Sequence, residues 1–249
     1  MRRYEDRVVM ITGAGQGLGR AMAERFSAEG AHLAVCDVNE AALKQTAALC
    51  EGAQVRTAVV DVADSAQVDT WVAATVEAYG RVDVLVNNAG VIRDNRLERM
   101  SDAEWDAVLD VSLRGMFHCT RAVFGHMKRQ EYGRILSFSS MSWRGNFGQA
   151  NYAAAKAGVV GMARTIALEG APHGVTSNAI APGLIDTPML ASMNDAARAK
   201  LAARVPMRHI GDPTDIAEAA AYLCSQAAGY VTGVVLDVDG GIGIGGAMR

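Results

Sequence analysis

The segment Asn151-Tyr-Ala-Ala-Ala-Lys-Ala-Gly158 sets a phenol and an ammonium four residues apart in a run of alanines. Alanine is the strongest helix former, so the segment is expected to be helical. Residues i and i+4 lie on one helix face, which turns Tyr152 and Lys156 the same way. A nearby cation stabilises phenolate and lowers the phenol pKa from its ordinary value of ~10. Tyr152 could then give or take a proton near neutral pH. The plain alternative is an incidental pair on a surface helix, and the rest of the chain must decide between them.

A second chemical signal lies near the amino end. Arg7–Thr12 reads as a strand and runs into Thr12-Gly-Ala-Gly-Gln-Gly-Leu-Gly19. Glycines between a strand and a helix permit a tight turn and let a pyrophosphate approach the backbone. The helix that follows offers free N–H groups and the positive end of its dipole. Strict G-x-G-x-x-G spacing is absent; Gly13, Gly17 and Gly19 stand instead at G-x-x-x-G-x-G spacing, with Gln16 and Leu18 between them. Asp37 closes the second strand, 18 residues after Gly19. A carboxylate there can accept both hydroxyls of an adenosine ribose and would repel a 2′-phosphate. No Lys or Arg stands at Gln16 or Val38 to receive that phosphate. NAD is therefore expected over NADP; a helix N-cap is the other use for such an Asp. Asp61 and Val62 end the third strand and could flank the adenine, with an N-cap role again open for Asp61.

These groups need a scaffold, and the chain spells one. Short β-branched runs (Arg7–Thr12, His32–Asp37, Gln54–Val60, Val82–Val86, Arg134–Phe138, Gly174–Ile180 and Val234–Val238) alternate with alanine-rich helical stretches. Helices are expected over Gly17–Glu29, from Glu40, and over Ser65–Tyr79, Asp102–Gln130 and Gln149–Gly170. The alternation implies βαβ units, and the near-continuous apolar strands imply a sheet covered on both faces. A single α/β domain over residues 1–249 is expected: doubly wound, Rossmann-type, with a seven-stranded parallel sheet. Residues 187–207 interrupt the rhythm as a methionine-bearing helical insertion, either a lid over the site or a surface helix. The tail Gly240–Arg249 holds five glycines and reads as a loose end or as a strand end at a subunit contact.

Composition narrows the function classes. The 249 residues are 50% hydrophobic and 20% charged, with a formal net charge of -3, so no basic nucleic-acid footprint is present. Cys36, Cys50, Cys119 and Cys224 form no C-x-x-C pair; Cys36 and Cys119 read as small core residues. The five histidines show no H-x-x-x-H spacing, and no metal site is expected. A strand-like run begins within six residues of Met1, and no apolar run reaches the ~20 residues of a membrane span. A cytoplasmic protein is the expectation.

Further candidates follow the carboxyl ends of strands, where ligands bind in open α/β sheets. They are Asn87-Asn-Ala-Gly90 after the fourth strand, Ser139-Ser140 after the fifth, and Pro182-Gly183 with Thr187 after the sixth. With TGAGQGLG at 12–19, NNAG at 87–90, Ser139, the Tyr152/Lys156 pair and PGLIDT at 182–187, the chain resembles the short-chain dehydrogenase/reductase family along nearly its whole length. VIRDN at 91–95 and GQANYAAAKAG at 148–158 look most like 3-oxoacyl-thioester reductases of the FabG type. The resemblance implies that Tyr152 exchanges a proton with a carbonyl or alcohol oxygen. It implies that Lys156 lowers the Tyr152 pKa and bonds the nicotinamide ribose, and that Ser139 orients the substrate oxygen while Ser140 stands by. It places Asn88, Ala89 and Gly90 along the cofactor, with Ile185 and Thr187 at its carboxamide.

Two departures from the family pattern stand out. Where the family has an Asn that holds a proton-relay water, Asp110-Val-Ser-Leu113 places Ser112. The basic residues that dock a carrier protein reduce to Lys128 and Arg129, with His173 at the second place. A 3-oxoacyl thioester reductase is therefore expected beside a rival, an NAD-linked dehydrogenase of another secondary alcohol. A nucleotide-sensing protein without turnover is a third reading. A symmetric homotetramer is expected through the helices over 102–130 and 149–170, whose small and apolar residues include Ala153, Ala157, Val160 and Met162.

Overall fold

The computed structural model describes residues 2–187, 190 and 194–245. Seven strands, β1 (Val8–Thr12), β2 (His32–Asp37), β3 (Val55–Val59), β4 (Val84–Asn87), β5 (Gly133–Phe138), β6 (Val175–Pro182) and β7 (Val235–Val238), form one sheet. Its order is β3-β2-β1-β4-β5-β6-β7, and every pairing is parallel. The fold is the expected α/β Rossmann type. The order reverses between β1 and β4, and the crevice at that switch point is where such sheets take ligands.

Alternation along each strand feeds two cores. Val9, Ile11, Leu33, Val35, Val84 and Val86 face α1 (Gly17–Ala28) and a helix at Pro213–Leu223. Met10, Ala34, Cys36 and Leu85 face α3 (Ser65–Tyr79), α5 (Gly115–Gln130) and α6 (Ala150–Gly170). Leu85 and Leu136 are fully buried, and truncating either to Ala is expected to cost about 2–5 kcal/mol.

Local chemistry starts and stops the helices. Asn39 caps α2 (Glu40–Leu49) through Ala42 N–H, and Asp64 caps α3, which stops at Gly80 with φ 72°. Ser101 and Glu104 form a reciprocal capping box at α4 (Asp102–Leu109). The helix expected as one piece over 102–130 is divided: a π turn at Asp110–Arg114 separates α4 from α5. Beyond β6, α7 (Asp195–Ala202) is the described helix of the 187–207 insertion, while positions 188–189 and 191–193 lie outside the described residues. Arg198 of α7 reaches back to both carboxylate oxygens of Asp186 and to the Leu190 carbonyl. The helix α8 (Pro213–Leu223) was not among the expected elements, although Asp212-Pro-Thr-Asp215 carries its capping box and Pro start. A short α9 (Ile242–Gly245) follows β7, within the tail for which a loose end or a strand end at a subunit contact is expected.

Candidate active site

The glycine loop is built as expected and braced by residues the sequence reading passed over. Gly13 and Gly17 adopt φ 63° and 55°, a region that only glycine enters freely. A Cβ at Gly19 would lie 2.1 Å from the Gly13 carbonyl oxygen. Gln16 is the N-cap of α1 and leaves its side chain exposed. Behind the loop, Thr46 Oγ1 donates to the Ala14 carbonyl at 2.9 Å and Arg20 Nη2 to the Gly15 carbonyl at 2.6 Å. Thr12 Oγ1 accepts the N–H groups of Asn88 and Ala89 at 3.0 Å each. Asn88 Nδ2 donates to the carbonyls of Thr12 and Gly13 at 3.0 and 2.9 Å. The Asn88 amide thus joins the two strands at the switch point.

Asp37 ends β2 beside this loop. Its oxygens accept Gly15 N–H at 2.9 Å and Asn39 N–H at 3.0 Å. Because Asn39 caps α2, Asp37 is not that helix's N-cap. Asp61 is exposed and accepts Ala63 N–H at 2.9 Å; the cap of α3 belongs to Asp64. Val62 is buried, whereas Val38 and Val59, on either side of the Asp37 end of the sheet, are exposed.

A cavity of about 350 Å³ continues from the loop to the carboxyl ends of β5 and β6. Leu18, Asn88, Gly90, Tyr152, Lys156, Pro182, Gly183, Ile185 and Thr187 line it together, so most of the expected cofactor and acid–base residues meet in one place. Ser139 and Ser140 line it as well, and Ile92, Met141, Asn146, Gln149, Leu184 and Leu190 are part of its wall that was not anticipated. Gln149 Nε2 donates to both oxygens of Asp94 at 3.0 Å. No cluster of His, Cys, Asp or Glu suited to a metal occurs among the described residues.

Tyr152 and Lys156 share a face of α6 as the spacing required, but their electrostatics differ from expectation. Lys156 is buried, its Nζ donates to the Phe138 carbonyl at 2.8 Å, and it stands 5.5 Å from the Tyr152 ring centre. Burial pushes the Lys156 pKa down to about 8. Tyr152 is held above the usual phenol value, first by burial and also by the Asp94 carboxylate, with Ser140 pulling the other way. Desolvation is the largest influence on the phenol.

The two serines are held differently. Ser139 is buried, and its hydroxyl donates to the Lys156 carbonyl at 2.9 Å. Ser140, which the resemblance left aside, is the serine whose hydroxyl acts on the Tyr152 phenol. Ser140 has extended φ and ψ of -167° and 156° at the start of a 3₁₀ turn over Met141–Arg144. Both serines line the cavity, but extended backbone turns successive side chains to opposite sides, so their hydroxyls have different partners.

Ser112 sits in the π turn, buried, and no protein group bonds its hydroxyl among the described residues. A Cβ at Gly90 would lie 3.4 Å from both Ser112 Oγ and Lys156 Nζ, so the two groups converge on one small space. Gly115 at the end of the turn is required by closeness: a Cβ there would lie 2.6 Å from Val62 Cγ2.

A glycine loop at the switch point, a carboxylate at the end of β2 and a phenol–lysine pair in the adjoining cavity define a dinucleotide-fold oxidoreductase. Residues 13–243 match the family described as Enoyl-(Acyl carrier protein) reductase. The (2S)-[(R)-hydroxy(phenyl)methyl]succinyl-CoA dehydrogenase subunit BbsD of Thauera aromatica is 42% identical, over 95% of this chain and 96% of its own length. The 3-oxoacyl-[acyl-carrier-protein] reductase FabG of Thermotoga maritima is also 42% identical, over 96% and 99%. Among solved structures, levodione reductase has a TM-score of 0.94 at 39% identity, covering 97% of this chain and 99% of that one. The chain belongs to the short-chain dehydrogenase/reductase family, whose enzymes act on CH–OH groups with NAD(P).

Proposed function

We propose that the protein is an NAD(H)-dependent oxidoreductase that interconverts a secondary alcohol and a ketone, with a 3-oxoacyl thioester as the leading substrate class. The observation that carries this reading is the meeting of Tyr152, Ser140 and Lys156 in the cavity that adjoins the glycine loop. The residues present fit a dinucleotide: Gly13 and Gly17 with positive φ and a close-packed Gly19 form the turn that leads phosphates to the N-terminus of α1, and Asp37 offers acceptors for ribose hydroxyls. The bound nicotinamide supplies or accepts the hydride at the substrate carbon.

The chain's own groups handle the oxygen. Ser140 orients the carbonyl oxygen, and Tyr152 gives it a proton. Held above its usual pKa, Tyr152 stays protonated at neutral pH, which suits reduction. In the oxidative direction the same phenol must first lose its proton, and Lys156 with a water at Ser112 is the route we assign to it. Asn88, Ala89, Gly90, Pro182, Gly183, Ile185 and Thr187 line the cofactor. The substrate lies against Met141, Asn146, Gln149 and Leu190.

Two relatives, the Thauera CoA-ester dehydrogenase and FabG, carry names that point to thioesters. A second reading, an NAD-linked dehydrogenase working toward the ketone, is favoured by Asp37, since no cation at Gln16 or Val38 is available for a 2′-phosphate. NADH oxidation against a panel of 3-oxoacyl thioesters and cyclic ketones, with the reverse assay on the matching alcohols, separates the two. NADH is expected to exceed NADPH by at least ~30-fold in kcat/KM, equivalent to ~2 kcal/mol. Tyr152→Phe is expected to lower kcat by about 10²–10⁴-fold while NADH still binds. Retention of more than half the wild-type kcat would remove Tyr152 from its role.

A further inference from the structure

Gly15 differs from its neighbours in the loop. Gly13 and Gly17 need glycine for their positive φ, whereas Gly15 does not have one. What excludes a side chain at Gly15 is space. A Cβ there would lie 2.9 Å from Asp37 Oδ2, 3.0 Å from Asp37 Cγ and 3.0 Å from Ala42 Cβ. The same residue donates its N–H to Asp37 Oδ2, while Asn39 N–H holds Oδ1. Both oxygens are therefore fixed by backbone, one of them by the phosphate loop itself.

The loop cannot retreat to make room. Arg20 Nη2 grips the Gly15 carbonyl at 2.6 Å, and Thr46 Oγ1 lies 3.3 Å from it while donating to Ala14 at 2.9 Å. Arg20 is itself held, its Nε donating to Thr46 Oγ1 at 3.1 Å and Nη2 to Gln45 Oε1 at 3.2 Å. Ala42 closes the far side. Any atom added at Gly15 must therefore displace the Asp37 carboxylate. Resting on the reading that Asp37 takes the adenosine ribose, we propose that Gly15, backed by Arg20 and Thr46, is the positioning residue that sets how strongly this site prefers a 2′-hydroxyl dinucleotide to a 2′-phosphate one.

The test is a double-mutant cycle read by equilibrium binding. Dissociation constants for NADH and NADPH are measured for wild type, Gly15→Ala, Asp37→Ala and the double variant. Gly15→Ala is expected to weaken NADH about tenfold and to lower the ratio of the NADPH to the NADH dissociation constant by a similar factor. In the Asp37→Ala background, the same change is expected to alter NADH binding less than about twofold, since the carboxylate it acts through is gone. Equal losses in both backgrounds would show that Gly15 acts on the phosphates directly, and would overturn the proposal. Should Gly15→Ala not fold, Thr46→Val removes the brace without adding bulk; it too should lower the ratio only while Asp37 is present, and a ratio left at its wild-type value would overturn the proposal. Failure of the underlying reading looks different: Asp37→Ala alone would then leave NADH binding unchanged.

Discussion

Ser139 and Ser140 are chemically identical neighbours put to different uses by one turn. The Ser139 hydroxyl is spent on the Lys156 carbonyl, which ties the end of β5 to α6, and Ser140 meets the phenol. Ser140→Ala is expected to lower kcat by about 10²-fold, the usual loss when one oxygen-orienting donor is removed. Ser139→Ala is expected to reduce stability by about 1–2 kcal/mol, with turnover within about threefold of wild type. Steady-state kinetics and thermal melts on the two variants check both, and the reverse pattern would restore Ser139. Lys156 gives a second test. Below about pH 8 its ammonium is charged in both the folded and unfolded chain, and burial disfavours the folded state. From about 8 to 10.5 only the unfolded lysine keeps its proton, so stability rises with pH; above that both are neutral. Lys156→Met is therefore expected to stabilise the cofactor-free protein at pH 7 by about 1–3 kcal/mol, an advantage that fades toward pH 10.5. Denaturant titrations at pH 7, 9 and 10.5 read this directly. The pair itself was legible from its spacing. The balance between burial and cation was not, because sequence spacing carries no desolvation.

The π turn at Asp110–Arg114 is the element that brings Ser112 beside Lys156. Such single-turn insertions within α-helices recur at functional sites. A buried hydroxyl with no protein partner generally bonds a water, which here would stand between Ser112 and the lysine. Ser112→Ala is expected to depress kcat for alcohol oxidation most strongly at low pH, where the Tyr152 proton is hardest to remove, and Ser112→Asn is expected to preserve it. Superimposable pH profiles for both variants and wild type would take Ser112 out of the proton path. Composition could not show the turn, because 102–130 has a helical pattern throughout and one extra residue per turn leaves no mark in it. The helix at Pro213–Leu223 is the opposite case. Its cap and proline were in plain view, but the preceding irregular stretch hid where the insertion ended.

At the scale of the whole molecule, the β-branched runs and alanine-rich stretches sufficed to read all seven strands and the parallel order they imply. Burial on both faces leaves such strands few other arrangements. The surface was read less well. Val160, expected on a subunit face, is buried within the chain itself, whereas Ala157 of the same set is exposed. Exposed apolar side chains lie on α4, α5 and α6, at Trp105, Phe117 and Leu168, and around the β7 edge, at Tyr222, Tyr230 and Val234. Two separate patches, each paired with its own copy across a two-fold axis, would close into a tetramer. Light scattering at micromolar concentration is expected to give four chains, and Phe117→Asp or Tyr230→Asp is expected to leave dimers. A monomeric wild type would exclude the arrangement.

The Asn88 clamp has a kinetic meaning as well. Past the last main-chain pairing of β1 with β4, Asn88 and Thr12 carry the hydrogen bonding on into the crevice, where the two chains would otherwise part. The spacing of the phosphate loop from the nicotinamide end is thus set before any dinucleotide arrives. Association with such a preshaped half-site should proceed in a single phase at a rate set by encounter, and adjustment should be confined to the substrate side. Cutting the clamp with Asn88→Ala should convert that single phase into two, as a loop with choices must first find its place.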